Sequence, residues 1–219
     1  MNLINENFSE HLSNYFLTEN VSLFLYSLIR CSRPQSILEM GAGYSTPFIS
    51  RAIEDVKNEN LTFFENFHLV NEKYYGKEYN PNFDVIENFY TEEYYNEVVL
   101  NLKRLDLEKN VNFIDQNLVY FLENTIKKYD LIWMDLGNGE EYMYFFKLFL
   151  RILNDGGYVI IHNTMHNLTG KLFVSELKLM TKFDNSIELI NIVEPHKTEQ
   201  SSFTIVKKTI DYPTHRVYA

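Results

Sequence analysis

A single cysteine, Cys31, is the only thiol in 219 residues. It cannot close an intrachain disulfide or build a thiolate-rich metal site. Basic side chains are outnumbered, 20 Lys and Arg against 30 Asp and Glu, for a formal charge of −10. Basic runs stop at pairs such as Lys127-Lys128 and Lys207-Lys208. Phosphate backbones are held by Lys and Arg through counterion release, so this balance argues against nucleic acid as a partner and for a small-molecule substrate. No apolar stretch approaches the ~20 residues that cross a bilayer. Residues 1–7 lack the basic-then-apolar order of a signal peptide. The expectation is a cytoplasmic protein with no membrane partner; a homodimer is compatible with it. The sequons at Asn60 and Asn167 carry no weight without export.

What is present is an ordinary globular composition, 45% hydrophobic, in a length that fits one domain with a full core. Phe and Tyr are abundant, 17 and 16. Asn, Lys and Ile are frequent too, the pattern of an AT-rich genome, so the aromatic excess as a whole points to no function.

The chain opens helically. Thr18 is placed to cap a helix whose stripe is Val21, Leu25, Leu28 and Ile29, ended by Pro34. Ser36-Ile37-Leu38-Glu39-Met40 reads as a buried strand. The turn Gly41-Ala42-Gly43-Tyr44-Ser45-Thr46 follows and opens a helix that tolerates Pro47 in its first turn. Residues 55–82 have no clear period and read as an insertion, either covering a site or forming a solvated excursion. A strand at 82–87 ends in Glu87. Thr91 is placed to cap the next helix, with the stripe Val98, Val99, Leu102 and Leu105. Val111-Asn112-Phe113-Ile114 is a strand, Asn117 to Ile126 a helix, and 130–135 a strand ending in Asp135. The next helix turns Met143, Phe146, Phe149, Leu150 and Leu153 inward. Asn154-Asp155-Gly156-Gly157 is a tight turn into the apolar strand Tyr158-Val159-Ile160-Ile161-His162. A helix to about 182 and strands at 187–193 and 203–207 close the chain as a hairpin. This alternation predicts an α/β fold: a doubly wound, mostly parallel sheet with an antiparallel edge.

In such sheets ligands bind beyond the carboxyl ends of the strands, where strand order reverses. That rule selects 39–46, 87–88, 115–117, 135–138 and 162–166. The G-x-G turn gains meaning from its place between strand and helix, and from the acids Glu39 and Glu87. A carboxylate at Glu87 can accept both hydroxyls of a ribose. A dinucleotide fingerprint needs a third glycine where Thr46 stands, and the Walker lysine is absent. A nucleoside without a pyrophosphate is therefore favoured.

These residues, together with Leu102-Lys103-Arg104-Leu105-Asp106-Leu107-Glu108-Lys109-Asn110-Val111-Asn112-Phe113, Tyr129-Asp130-Leu131-Ile132-Trp133-Met134-Asp135 and Leu153-Asn154-Asp155-Gly156-Gly157-Tyr158-Val159-Ile160-Ile161, resemble the class I S-adenosylmethionine-dependent methyltransferases over nearly the whole length. The resemblance implies a single Rossmann-like domain with seven strands, the last antiparallel. Residues 1–33 would be an N-terminal helical cover, and 34–219 the core carrying the 55–82 insertion. S-adenosyl-L-methionine would be the cofactor. Its methionine part would lie against Gly41, Ala42, Gly43, Tyr44, Ser45 and Thr46, with Glu39 taking the ammonium directly or through water. Glu87 and Asn88 would hold the ribose, with Glu65 as a rival. Asp115, Gln116 and Asn117 would flank the adenine, and Asp135 with Leu136 would face the reacting centre.

Catechol-type relatives hold a divalent ion with an acid after the fourth strand and an Asp-Asn pair after the fifth. Here the pair is His162-Asn163, and imidazole is a poor magnesium ligand, so the expectation is no metal. His162 is a candidate general base, since an unperturbed imidazole (pKa ~6.5) can accept a proton near neutrality; the alternative is a structural hydrogen bond at a strand end. His166 lies in a loop, and the remaining histidines stand apart. Tyrosine faces can stabilise a sulfonium by roughly 0.5–2 kcal/mol, and Tyr15, Tyr44, Tyr74, Tyr75 and Tyr142 are candidates. The catalytic candidates are His162, Asp135 and Tyr15. The expected activity is methyl transfer to an oxygen or nitrogen nucleophile of a small molecule. The segment Tyr74-Tyr75-Gly76-Lys77-Glu78-Tyr79-Asn80-Pro81 also resembles a subgroup that cyclises the cofactor to azetidine-2-carboxylate and methylthioadenosine. Non-catalytic cofactor binding is the third alternative.

Overall fold

A computed structural model of the chain describes residues 18–59, 72–74, 76–87, 92–136, 141–183, 185–199 and 201–209. Helix α1 (Glu19–Ser32) precedes β1 (Ser36–Met40), α2 (Ser45–Lys57), β2 (Asn82–Ile86) and α3 (Glu92–Arg104). Then come β3 (Asn112–Phe113), α4 (Leu118–Asn124), β4 (Tyr129–Met134) and α5 (Tyr142–Ile152). The chain closes with β5 (Leu153–His162), α6 (Leu168–Phe183), β6 (Ile187–Val193) and β7 (Ser202–Lys208). The sheet order is β3-β2-β1-β4-β5-β7-β6. Strands β1 to β5 pair in parallel, and β7 is antiparallel to both its neighbours. Strand order reverses between β1 and β4, so the crevice opens at their carboxyl ends.

Side chains alternate along each strand, and this divides the interior in two. Ile37, Phe83, Leu131 and Ile160 pack with Val21, Leu25 and Ile29 of α1, Ile49 and Ile53 of α2, and Leu102 of α3. Leu38, Met40, Ile132 and Ile161 pack on the other face with Leu122 of α4, Phe146 and Phe149 of α5, and Phe173 of α6. These strands are apolar on both faces because helices cover both.

Several elements differ from the sequence reading. The Thr18 hydroxyl makes no capping bond, because its backbone (φ −98, ψ 10) is close to helical rather than extended; capping needs the extended form. The strand expected at 111–114 shrinks to two residues, since the amide of Val111 turns back to Glu108 O at 3.0 Å. On α5 the buried stripe is Tyr142, Phe145, Phe146, Phe149 and Ile152, with Met143 and Leu150 only half-buried. The 154–157 turn lies inside β5 as a bulge: Tyr129 pairs with Leu153, while Leu131 pairs with Tyr158. Gly156 supplies the left-handed φ of 80° there. The antiparallel strand is the last in sequence, as expected, yet it is second from the edge; β6 forms the edge. Thr91, which was expected to cap α3, lies outside the described residues.

Candidate active site

The alternation that builds the first core continues past the apolar residues into polar ones. On β1 the row Ile37 ends in Glu39; on β2 the row Phe83 and Val85 leads to Glu87. On β4 Leu131 and Trp133 lead to Asp135, and on β5 Ile160 leads to His162. Period two thus sends three carboxyls and one imidazole to the same side of four adjacent strands. Backbone bonds lock the strand ends together: Gly41 N donates to Ile86 O at 3.0 Å, and Asp135 N to Met40 O at 2.9 Å.

Glu39 is fully buried. Its Oε1 accepts from Ser45 Oγ at 2.5 Å, and that hydroxyl in turn accepts from Trp133 Nε1 at 3.1 Å. The Thr46 hydroxyl, which accepts from Gly43 N at 2.9 Å, also serves this carboxyl. Glu39 Oε2 has no partner among the described residues. Burial, aided by the charges of Asp135 and Glu87, pushes the Glu39 carboxyl up to about 8 against the Ser45 and Thr46 bonds.

The glycine turn is shaped by its neighbours. Gly41 sits at φ 96°, and a β-carbon there would come within 2.9 Å of Asp135 O and 3.0 Å of the Leu136 side chain. At Gly43 a β-carbon would meet the Tyr94 hydroxyl at 2.8 Å. Ala42, Ser45 and Thr46 are buried, and Tyr44 stacks on Phe48 at 5.2 Å between centroids.

Asp135 and His162 meet directly, Oδ1 to Nδ1 at 2.7 Å. The imidazole is 3% exposed, its ring lies 5.5 Å from that of Trp133, and Nε2 has no partner among the described residues. Tyr142 donates from its hydroxyl to His162 O at 3.2 Å; burial and the nearby Asp135 and Glu141 charges push that phenol up to about 12. Asn163 adopts φ 57°. No group of three His, Cys, Asp or Glu among the described residues could hold a metal ion.

Beside this row lies a cavity of about 520 Å³ whose lining includes Glu87, Glu92, Tyr95, Phe113 and Asp115. Tyr95 stands edge-on to Phe113 at 5.1 Å. Asn117 is exposed, and its side chain caps α4 by accepting from Tyr120 N at 3.1 Å. Gln116 and His166 are exposed. Tyr15, Tyr75, Glu65 and Asn88 lie outside the described residues. The structure adds Trp133, Tyr94 and Tyr95 to the site. Trp133 was signalled by its two-residue offset from Asp135; the tyrosines of α3 carried no separate signal.

The reversed strand order and the acid row after a glycine turn define a methyltransferase-type doubly wound fold. A model of the family described as a methyltransferase domain matches residues 38–164, more than half of the chain. The chain belongs to that family. No curated protein matches it. Solved structures share the fold at low identity. The O-methyltransferase TomG of Streptomyces achromogenes, involved in tomaymycin synthesis and crystallised with S-adenosylmethionine, is 16% identical. Its TM-score is 0.67, with 94% of this chain and 91% of that one covered. A Bacillus cereus O-methyltransferase in complex with S-adenosylhomocysteine is 14% identical, with TM-score 0.67 and coverages of 94% and 92%. The S-adenosylhomocysteine-bound Podospora anserina methyltransferase PaMTH1 is 16% identical, with TM-score 0.63 and coverages of 94% and 89%.

Proposed function

We propose that this protein is an S-adenosylmethionine-dependent methyltransferase acting on an oxygen or nitrogen nucleophile of a small molecule, with His162 as proton acceptor. The observation that carries the reading is the Asp135–His162 pair: one ring nitrogen is bound to a carboxylate, and the other is buried with no partner among the described residues. With Nδ1–H donating to Asp135, Nε2 presents a lone pair to whatever enters the crevice. An adjacent base of this kind accelerates proton removal by about 10²–10⁴-fold.

The residues present fit the cofactor. Glu39 Oε2, buried and unpartnered among the described residues, suits an ammonium. The cavity between Glu87, Tyr95 and Asp115, at about 520 Å³, is within the usual range for small-molecule sites. Structures of the same fold have been crystallised with S-adenosylmethionine or S-adenosylhomocysteine, which supports the same ligand here. The bound cofactor would supply a methyl group on a sulfonium, a leaving group that needs no acid. The chain then has three tasks: to hold the cofactor at Glu39 and Glu87, to exclude water, and to take a proton at His162. Positioning is the main source of rate in such a site.

Incubation of the pure protein with S-adenosylmethionine, with and without an acceptor library, tests this. Turnover that requires an acceptor supports transfer. Methylthioadenosine and a cyclic amino acid formed without an acceptor would replace transfer by cyclisation. Absence of S-adenosylhomocysteine binding in calorimetry sinks the assignment.

A further inference from the structure

The cations of this molecule are segregated along the strand direction. None of the 20 Lys and Arg occurs within residues 1–29, 34–50, 58–72, 78–102, 110–126, 129–146 or 152–170. Each of the strands β1 to β5, with the segment that follows its carboxyl end, falls inside one of these stretches. The next basic residues, Arg51, Lys103, Lys147 and Lys171, come only within the following helices. At the amino ends the pattern inverts, with Arg33 before β1, Lys109 before β3, Lys127 and Lys128 before β4, and Arg151 before β5. In the β6–β7 turn Lys197 is paired to Glu194 at 2.9 Å, both side chains under a tenth exposed. Lys207 and Lys208 end β7, where Lys208 pairs with the first residue of β6.

Helix dipoles favour acids in first turns and bases in last turns, which accounts for Glu92 and Glu93 of α3. They do not account for Glu39, Glu87 and Asp135, which lie on or just beyond strand ends. A second observation points the same way. His162 Nε2 sits on a side chain 3% exposed, without a partner among the described residues, and Glu39 Oε2 is already assigned to the cofactor. An imidazole lone pair calls for a donor hydrogen on the ligand.

Resting on the methyltransferase reading, we propose that the acceptor substrate is a small organic cation, an amine carried as its ammonium, and that the crevice rejects acceptors bearing phosphate or carboxylate. A cleft lined by one sign of charge concentrates the opposite charge and speeds its entry. The cofactor carries a single net positive charge, whereas the strand-end acids Glu87 and Asp135 lie at the crevice, with Glu92 and Asp115 beside them. Burial is the chief cause of the raised Glu39 carboxyl, and the charges of Asp135 and Glu87 add to it in the same direction.

The test is calorimetric titration of the whole chain loaded with S-adenosylhomocysteine, using tyramine, 4-ethylphenol and 3-(4-hydroxyphenyl)propionate as cationic, neutral and anionic probes of one scaffold. Tyramine is expected to bind about tenfold more tightly than the anion at low salt, with the gap closing at high salt. Glu93→Lys, an exposed change in the first turn of α3, narrows the gap without altering S-adenosylhomocysteine affinity. Equal binding of the three probes, preference for the anion, or binding of none to the loaded protein overturns the proposal. Failure to load S-adenosylhomocysteine at all is a different result, and it removes the methyltransferase reading itself.

Discussion

Asp135 Oδ1 and His162 Nδ1 lie 2.7 Å apart across the neighbouring strands β4 and β5, inside a wall that leaves the imidazole 3% exposed. The carboxylate fixes which nitrogen carries the proton, so His162→Ala and Asp135→Asn should act on the same step. His162→Ala is expected to lower kcat by about 10²–10⁴-fold while S-adenosylhomocysteine affinity stays within about twofold. Asp135→Asn should lower kcat as well, because the amide can stabilise the wrong tautomer. Parallel kinetics and calorimetry decide; full kcat in His162→Ala removes the histidine from the mechanism.

The two glycines of the turn should respond differently to alanine. At Gly41 the new methyl meets the backbone oxygen of Asp135 at a left-handed φ of 96°, and backbone cannot swing aside. A cost on the order of 1–3 kcal/mol is expected, visible as a lower Tm. At Gly43 the obstacle is the tip of one side chain, the Tyr94 hydroxyl at 2.8 Å. Gly43→Ala should therefore lose less, and the loss should shrink in a Tyr94→Phe background. A double-mutant cycle by thermal unfolding reads the coupling; purely additive losses would contradict this account.

The order of elements and the glycine turn were legible because each depends on local pattern. Ser36 to Met40 matches β1 end for end, and the acids Glu39 and Glu87 fall where alternation puts them. The Asp135–His162 pair was not legible as a pair. It depends on the register of β4 against β5, and that register is reset by the four-residue bulge at 154–157. Nor did sequence show that the Asn117 side chain caps α4, since an asparagine suits a cap and a ligand equally. The second shift, on α5, has a similar origin. Its aromatic run offers two adjacent stripes, and packing against Phe173 of α6 favours the one holding Tyr142 and Phe146.

Asp84 is the other buried carboxylate on which the sheet depends. Its oxygens accept from Asn112 at 2.6 Å, Lys127 at 2.7 Å, Tyr129 at 2.7 Å and Asn82 at 3.1 Å. Burial raises its carboxyl, but the bonds from Lys127, Asn112 and Tyr129 outweigh this and hold it below the ordinary value. A depressed folded pKa means stability present above the ordinary carboxylate range and lost as pH falls through the folded value. Asp84→Ala should cost about 1–3 kcal/mol by leaving the buried Tyr129 hydroxyl without its acceptor, while the half-exposed Lys127 turns to water. Urea unfolding at neutral pH should show that loss, and titration to low pH should show a shallower acid limb than in the wild type. A loss under 1 kcal/mol (roughly the worth of an exposed pair) would mean that the network is not structural.

Glu39 has the opposite sign. Its folded carboxyl is pushed from the ordinary 4.5 up to about 8, chiefly by burial. Between those values the native state holds a proton that the unfolded chain has released, so stability declines as pH climbs through that window. Glu39→Gln keeps a neutral hydrogen-bonding group at the end of β1, and it should flatten the decline measured by denaturant unfolding from pH 5 to pH 8. A cation placed against Oε2 reverses the balance, because the ionised carboxylate then has a partner. Binding of S-adenosylmethionine at pH 7 should therefore release a proton, seen as a binding enthalpy that varies with the ionisation heat of the buffer. Glu39→Gln should bind with no such dependence. A buffer-independent enthalpy in the wild type would show that the cofactor leaves this carboxyl in its protonated state, and that its ammonium is held elsewhere.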